Sequence, residues 1–260
     1  MNLYFLSFAD SINFGHALKR CEIQAKNFKD DNGDNVFKDI FCIDENYIQQ
    51  YHSEFFSEHS DFIKNNQKGY GYWIWKPYLI MKLIETLHEN DVILYMDSGC
   101  QLNYSGLDRL KFYYEKSLQF GGVNFKLTHK ECKFTKMDTY RRIFPEDDHN
   151  LNEMQVSATC MLLKCSEENK VFVNEWYSIC TEDSYKYVND SSSLIANDSS
   201  FLDHRHDQSI FSLLVKRDNP FYELPDETYL IEEEWKIRSN ELPIWATRNR
   251  QLELVNSIDW

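Results

Sequence analysis

Five consecutive strand-forming residues, Val92-Ile93-Leu94-Tyr95-Met96, run directly into Asp97-Ser98-Gly99. An apolar run of this kind has no polar face to give to water, so it belongs inside a sheet covered on both sides. Leu3 to Ala9 and Val36 to Ile43 are two further runs of strand length, and between them Ala17, Leu18, Cys21, Ala25 and Phe28 recur at helical spacing. Strands alternating with helices predict an α/β fold with a mixed, mostly parallel sheet flanked by helices. Ligands of such sheets bind beyond the carboxyl ends of the strands. That directs attention to Asp10, Asp44 and Asp97-Ser98-Gly99.

The remaining pattern is of the same kind. Helices are expected over 47–66, 77–88 (with Pro77 suited to a first turn), 107–118 and 167–180, and strands over 122–125 and 156–163. Residues 128–150 carry no clear period. A Ser/Asn/Asp-rich loop at 189–200 precedes Asp203-His204-Arg205-His206-Asp207-Gln208, which opens another helix. No repeat or linker divides the chain, so one domain over 1–260 is expected.

Composition removes several classes of function. Lys and Arg number 28 against 42 Asp and Glu, a net charge of −14, which argues against a nucleic-acid binder or an anionic-membrane surface protein. Phe, Tyr and Trp make up 15% of the chain while Gly (8) and Pro (5) are scarce, the balance of an ordered globular protein. Seven cysteines without a CxxC favour neither a disulfide framework nor a zinc-thiolate site, and are read as reduced, mostly buried thiols. The start, MNLYFLSFAD, lacks a basic n-region, and no stretch approaches ~20 apolar residues, so no integral membrane segment is expected. A cytoplasmic chain follows, at most peripheral to a membrane, and sequons at Asn103, Asn189 and Asn197 then carry no meaning.

Three segments can carry chemistry. Asp97 either caps the turn after its strand or holds a divalent cation that neutralises a diphosphate, with Ser98 and Gly99 letting a ligand approach the backbone. His204 and His206 can contribute to such a metal site if locally extended, whereas Asp203 or Asp207 can simply cap the helix. Tyr70 to Tyr78 packs five aromatics around Lys76, either as the buried entry to a helix or as a wall stacking on a base or sugar, with Lys76 facing phosphate. Gly69-Tyr70-Gly71 is no dinucleotide fingerprint, because Ile74 holds the third glycine position and no strand precedes it. A phosphatase-type D-x-D fails at Gly99, and no glycine-rich nucleotidyltransferase loop is present.

In their order, these segments resemble nucleotide-sugar glycosyltransferases of the GT-A type, in particular glycosyltransferase-like sequences of bacterial polysaccharide loci and large DNA viruses. Ser7-Phe8-Ala9-Asp10, Gly69 to Tyr78, Tyr95-Met96-Asp97-Ser98-Gly99-Cys100, Gln155 to Leu163 and His206-Asp207-Gln208 carry the resemblance, which covers about residues 3–215. It implies a Rossmann-like GT-A domain with a nucleotide-binding half, about 1–105, and an acceptor half, about 106–260. It implies transfer of a hexose or deoxyhexose from a UDP- or GDP-linked donor to a glycan or lipid-linked acceptor, as in polysaccharide biosynthesis. Phe8, Ala9, Asp10, Lys76, Asp97, Ser98 and Gly99 would bind the donor, and Trp73, Trp75, Gln155 and Ser157 the sugars. Asp207, with Gln208, would stand beside the reacting carbon. Mn²⁺ or Mg²⁺ would sit on Asp97 with His204 or His206, although Gly99 replaces the second acid of D-x-D. The rival readings are a non-catalytic carbohydrate-binding protein and a nucleotide-sugar hydrolase or nucleotidyltransferase.

Overall fold

The computed structural model describes residues 1–254. Its strands are β1 (Leu3–Phe8), β2 (Phe37–Ile43), β3 (Val92–Met96), β4 (Gln101–Leu102), β5 (Gly122–Lys130), β6 (Met154–Val156), β7 (Cys160–Lys164), β8 (Tyr222–Pro225) and β9 (Ile244–Trp245). Seven of them form one sheet, ordered β2-β1-β3-β7-β5-β6 with β8 also on β5, while β4 and β9 pair apart. β1, β2, β3, β5 and β8 point one way, and β6 and β7 the other. The sheet is mixed and mostly parallel, as the alternation of elements predicts.

The all-apolar β3 strand feeds two cores at once. Val92, Leu94 and Met96 pack with residues of the helices Ser11–Asn27 and Leu107–Phe120. Ile93 and Tyr95 face the opposite layer, built from the helices Trp75–Thr86, Glu167–Tyr185 and His206–Asp218. This alternation is the period of two expected of a strand buried on both faces. Asp10 caps the first helix, its Oδ1 accepting from the Asn13 amide at 2.8 Å.

Some boundaries differ from expectation. The 47–66 stretch is two helices, Glu45–Tyr51 and Ser53–Asn65, separated at His52. The 156–163 run is two strands, because Val156 pairs with β5 while Cys160 pairs with Met96 of β3. Ser157-Ala158-Thr159 therefore crosses the sheet at its ligand-facing end: the Ser157 amide donates to Phe125 O (2.8 Å) and the Asp97 amide to Thr159 O (2.8 Å). The aperiodic 128–150 segment holds two short helices, Glu131–Phe134 and Met137–Ile143. All seven cysteines are free, and six are buried.

Candidate active site

A cleft of about 880 Å³ opens at the carboxyl ends of β1 and β3, where a ligand of an α/β sheet belongs. Phe8, Ala9 and Asp10 line it from β1, and Asp97, Ser98 and Gly99 from β3. Ser7 is fully buried and does not reach it. The Asp97–Cys100 turn is pinned from behind by Arg20, itself only 2% exposed, whose Nη2 donates to Ser98 O at 2.8 Å and Cys100 O at 3.0 Å. From the other side the Asn249 amide donates to Gly99 O at 2.9 Å. A β-carbon on Gly99 would already touch Arg248 Cα at 3.4 Å, so the place from which a second acid of D-x-D would start is in contact with backbone.

The floor beneath Asp97 is a buried chain of charge. Lys76 is 3% exposed, with its Nζ 2.9 Å from Asp207 Oδ2 and 3.4 Å from Asp97 Oδ1, and it donates to Ala158 O at 3.0 Å. Tyr95 donates its hydroxyl to the same Asp97 oxygen at 2.5 Å. Burial opposes the Lys76 charge, but the two carboxylates outweigh it and hold its pKa above the ordinary value. Burial pushes the Asp207 carboxyl up to about 6, against the pull of Lys76. Neither Lys76 nor Asp207 is among the residues lining the cleft. Lys76, expected to face a phosphate, and Asp207, expected beside the reacting sugar, are instead buried against each other at the first turns of their helices. Gln208 does line the cleft, its Oε1 accepting from the Ala158 amide at 3.3 Å. Gln155 does not. It is fully buried, donating to Glu131 and Thr135 at 3.1 Å, while Ser157 and Thr159 occupy the wall.

The aromatic wall owes its shape to backbone. Gly69, Tyr70, Gly71, Tyr72 and Trp73 are all left-handed, with φ of 59°, 52°, 82°, 54° and 62°. Each non-glycine residue in that conformation costs roughly 1–2 kcal/mol, and such strain clusters at functional sites. A β-carbon on Gly69 would fall 2.4 Å from the Trp73 ring, and one on Gly71 2.7 Å from Ile63, which is why those positions are glycine. The turn sets Tyr70, Trp73 and Trp75 into the cleft, and Phe8 packs on Tyr70 and Trp75 with ring centroids 5.6 and 4.1 Å apart.

The expected metal set does not assemble. His204 is buried with both nitrogens engaged, Nδ1 accepting from the Lys136 amide at 3.3 Å and Nε2 facing Tyr187 O at 2.9 Å. His206 directs Nδ1 at Val188 O (2.7 Å) and stacks on Tyr72 and Trp73, and neither histidine lines the cleft. Among the described residues no three His, Cys, Asp or Glu side chains converge. Asp97, already shared with the Lys76 ammonium, gets no histidine beside it, so the three-residue metal set expected from the sequence is not formed.

Arg205, from the polar run at 203–208, also lines the cleft. Asp226, Thr228, Arg248 and Arg250 line it too, and carry no signal in the sequence; all four come from the segment after β8. Asp226 Oδ1 accepts from the Thr228 amide (2.9 Å) and hydroxyl (2.8 Å), closing a turn.

An open α/β sheet with a cleft at the carboxyl ends of adjacent strands is the arrangement in which such sheets bind their ligands. Within it, the fold is that of the GT-A glycosyltransferases. A glycosyltransferase involved in glycosylation of the major capsid of PBCV-1 superposes over 94% of this chain and 92% of its own, with a TM-score of 0.50 and 8% identity. Mouse xyloside xylosyltransferase 1 (TM-score 0.47, 11% identity, 98% and 96% covered) and the galactosyltransferase LgtC, solved with donor and acceptor sugar analogs (0.45, 12%, 99% and 85%), are also similar. At such identities the likeness is one of fold. No family profile matches the sequence, and no curated protein does. Among the described residues no helix is long and apolar enough to cross a membrane.

Proposed function

We propose that the protein transfers a hexose or deoxyhexose from a nucleoside diphosphate sugar to a hydroxyl of a glycan or lipid-linked acceptor. The observation that carries this reading is the cleft at the ends of β1 and β3, which combines an aromatic wall, an anchored carboxylate and unpaired cations in one site. The nucleoside lies against Phe8, Ala9 and Asp10 with Tyr70 beside it, and Asp97, Ser98 and Gly99 face the ribose and the first phosphate. The donor sugar lies toward Ser157 and Gln208, with Trp73 and Trp75 as apolar backing. In transfer the bond from the anomeric carbon to the phosphate oxygen breaks, its electron pair staying with the diphosphate. The acceptor oxygen bonds to the anomeric carbon and gives its proton to solvent. Asp207 and Lys76 act one layer below as positioning residues: Asp207 holds Lys76, and Lys76 with Tyr95 holds the Asp97 carboxylate in one orientation.

Thermal-shift screening against UDP, GDP and a panel of their sugars tests this. A ligand bound at a hundred times its dissociation constant stabilises the folded state by about 2.7 kcal/mol. At least one nucleotide should raise the melting temperature of the wild type, and Asp97→Ala should abolish that rise. If no nucleotide does so, the reading is wrong. Glycan binding without nucleotide binding would mark a carbohydrate-binding protein instead, and release of free sugar alone a hydrolase.

A further inference from the structure

The chain has nine arginines. Arg109, Arg141, Arg142, Arg217 and Arg238 form ion pairs with carboxylates, and Arg20 donates to backbone carbonyls under the Asp97 turn. Arg205, Arg248 and Arg250 have no carboxylate partner among the described residues, and all three line the same cleft. Their guanidinium carbons lie over rings, 4.1 Å from the centroid of Phe134, 6.0 Å from Tyr229 and 4.5 Å from Phe14. Arg205 is half-buried, and burial together with the Arg248 charge holds its pKa below the ordinary value, so the two cations repel each other across the site. In a chain of net charge −14, three unpaired guanidiniums gathered at one cleft form a site prepared for an anion.

We propose that Arg205 and Arg248 bind the donor diphosphate directly and stabilise it as it leaves, in place of a divalent cation. This rests on the nucleotide-sugar reading above and deepens it. Arg248 stands in left-handed backbone (φ 53°) against Gly99, the position a second metal-binding acid would need, and Asn249 and Thr247 tie that segment to Gly99 O at 2.9 and 3.3 Å. The segment that carries Arg248 is thus packed directly on Gly99. When the carbon–oxygen bond breaks, the negative charge arriving on the phosphate oxygen falls to a guanidinium able to donate two parallel hydrogen bonds. A dication beside the same two guanidiniums would be repelled, and Asp97 is already shared with Lys76.

Isothermal titration calorimetry with UDP and GDP, each in Mn²⁺ and in EDTA, and with the matching nucleosides, tests the proposal. The preferred nucleotide should bind in EDTA within about threefold of its affinity in Mn²⁺. A charge-assisted hydrogen bond contributes ~1.5–3 kcal/mol, so Arg248→Gln and Arg205→Gln should each weaken that binding by roughly tenfold to a hundredfold. Binding of the nucleoside should not change, Arg248→Lys should restore part of the loss, and Lys236→Gln on the exposed helix Glu232–Arg238, none of whose residues lines the cleft, should have no effect. Binding that requires Mn²⁺, or that survives both arginine substitutions, overturns this proposal while leaving the nucleotide-sugar reading intact. Failure of both nucleotides in every condition overturns both.

Discussion

Replacing Lys76 by Met removes one cation and leaves Asp207 buried with no counter-charge. The Nζ–Oδ2 separation is 2.9 Å, so at an effective dielectric of about 20 the two unit charges attract by roughly 6 kcal/mol before desolvation is subtracted. Removing one partner of such a buried pair costs about 3–5 kcal/mol net. For a chain of this size each kcal/mol moves the melting temperature by roughly 2–4 °C, so Lys76→Met should melt about 10 °C lower. The loss should be largely undone by adding Asp207→Leu, because exchanging both charges for apolar groups of similar volume is often neutral. Asp97 is 30% exposed, so water compensates its share. Urea denaturation followed by circular dichroism on the two single variants and the double gives the coupling directly. If Lys76→Met unfolds within about 1 kcal/mol of the parent, or if the double variant is no more stable than the single, the buried charge chain has been misread.

Asp207 also sets a pH dependence. Its carboxyl is pushed up to about 6 in the folded protein, so its contribution to stability is fully present below the ordinary carboxylate value and is lost as pH rises through about 6. Urea midpoints should show stability falling by up to roughly 3 kcal/mol more between pH 4 and pH 7 in the wild type than in Asp207→Asn. Gly106→Ala should be severely destabilised, by more than roughly 3 kcal/mol, because the new β-carbon would lie 2.3 Å from Pro243 N and backbone cannot yield; denaturant melts of the purified variant measure it. His204→Ala should lower stability by about 1–3 kcal/mol through the unpaired Tyr187 carbonyl, while its nucleotide titrations with and without Mn²⁺ match those of the wild type.

The sheet was legible because β1 and β3 are apolar on both faces and end in short polar turns, so the cleft residues Phe8 to Asp10 and Asp97 to Gly99 could be named from position alone. Lys76 and Asp207 stand out in the sequence, but their depth does not. A charged residue at the start of a helix reads as exposed, and only packing shows that two such helix starts meet beneath the sheet and satisfy each other. His204 and His206 failed for a related reason: the spacing of a metal pair is also the spacing of two imidazoles that bond to neighbouring backbone. Gly69-Tyr70-Gly71, which the sequence already excludes as a dinucleotide fingerprint, builds a left-handed turn that displays aromatics. Arg248 and Arg250 were invisible because their segment has no periodicity. Its position is set by long-range bonds to Gly99 and Gln101, which no local pattern encodes.

The most direct test of the central claim is to incubate the purified protein with UDP- and GDP-linked hexoses and deoxyhexoses and a mixture of oligosaccharide acceptors, and to follow the products by mass spectrometry. One donor should be consumed, with an acceptor gaining the mass of one sugar residue for each nucleoside diphosphate released, and Asp97→Ala should stop both. Unchanged donors, or nucleoside diphosphate released with free sugar and no enlarged acceptor, would contradict the assignment as a glycosyltransferase.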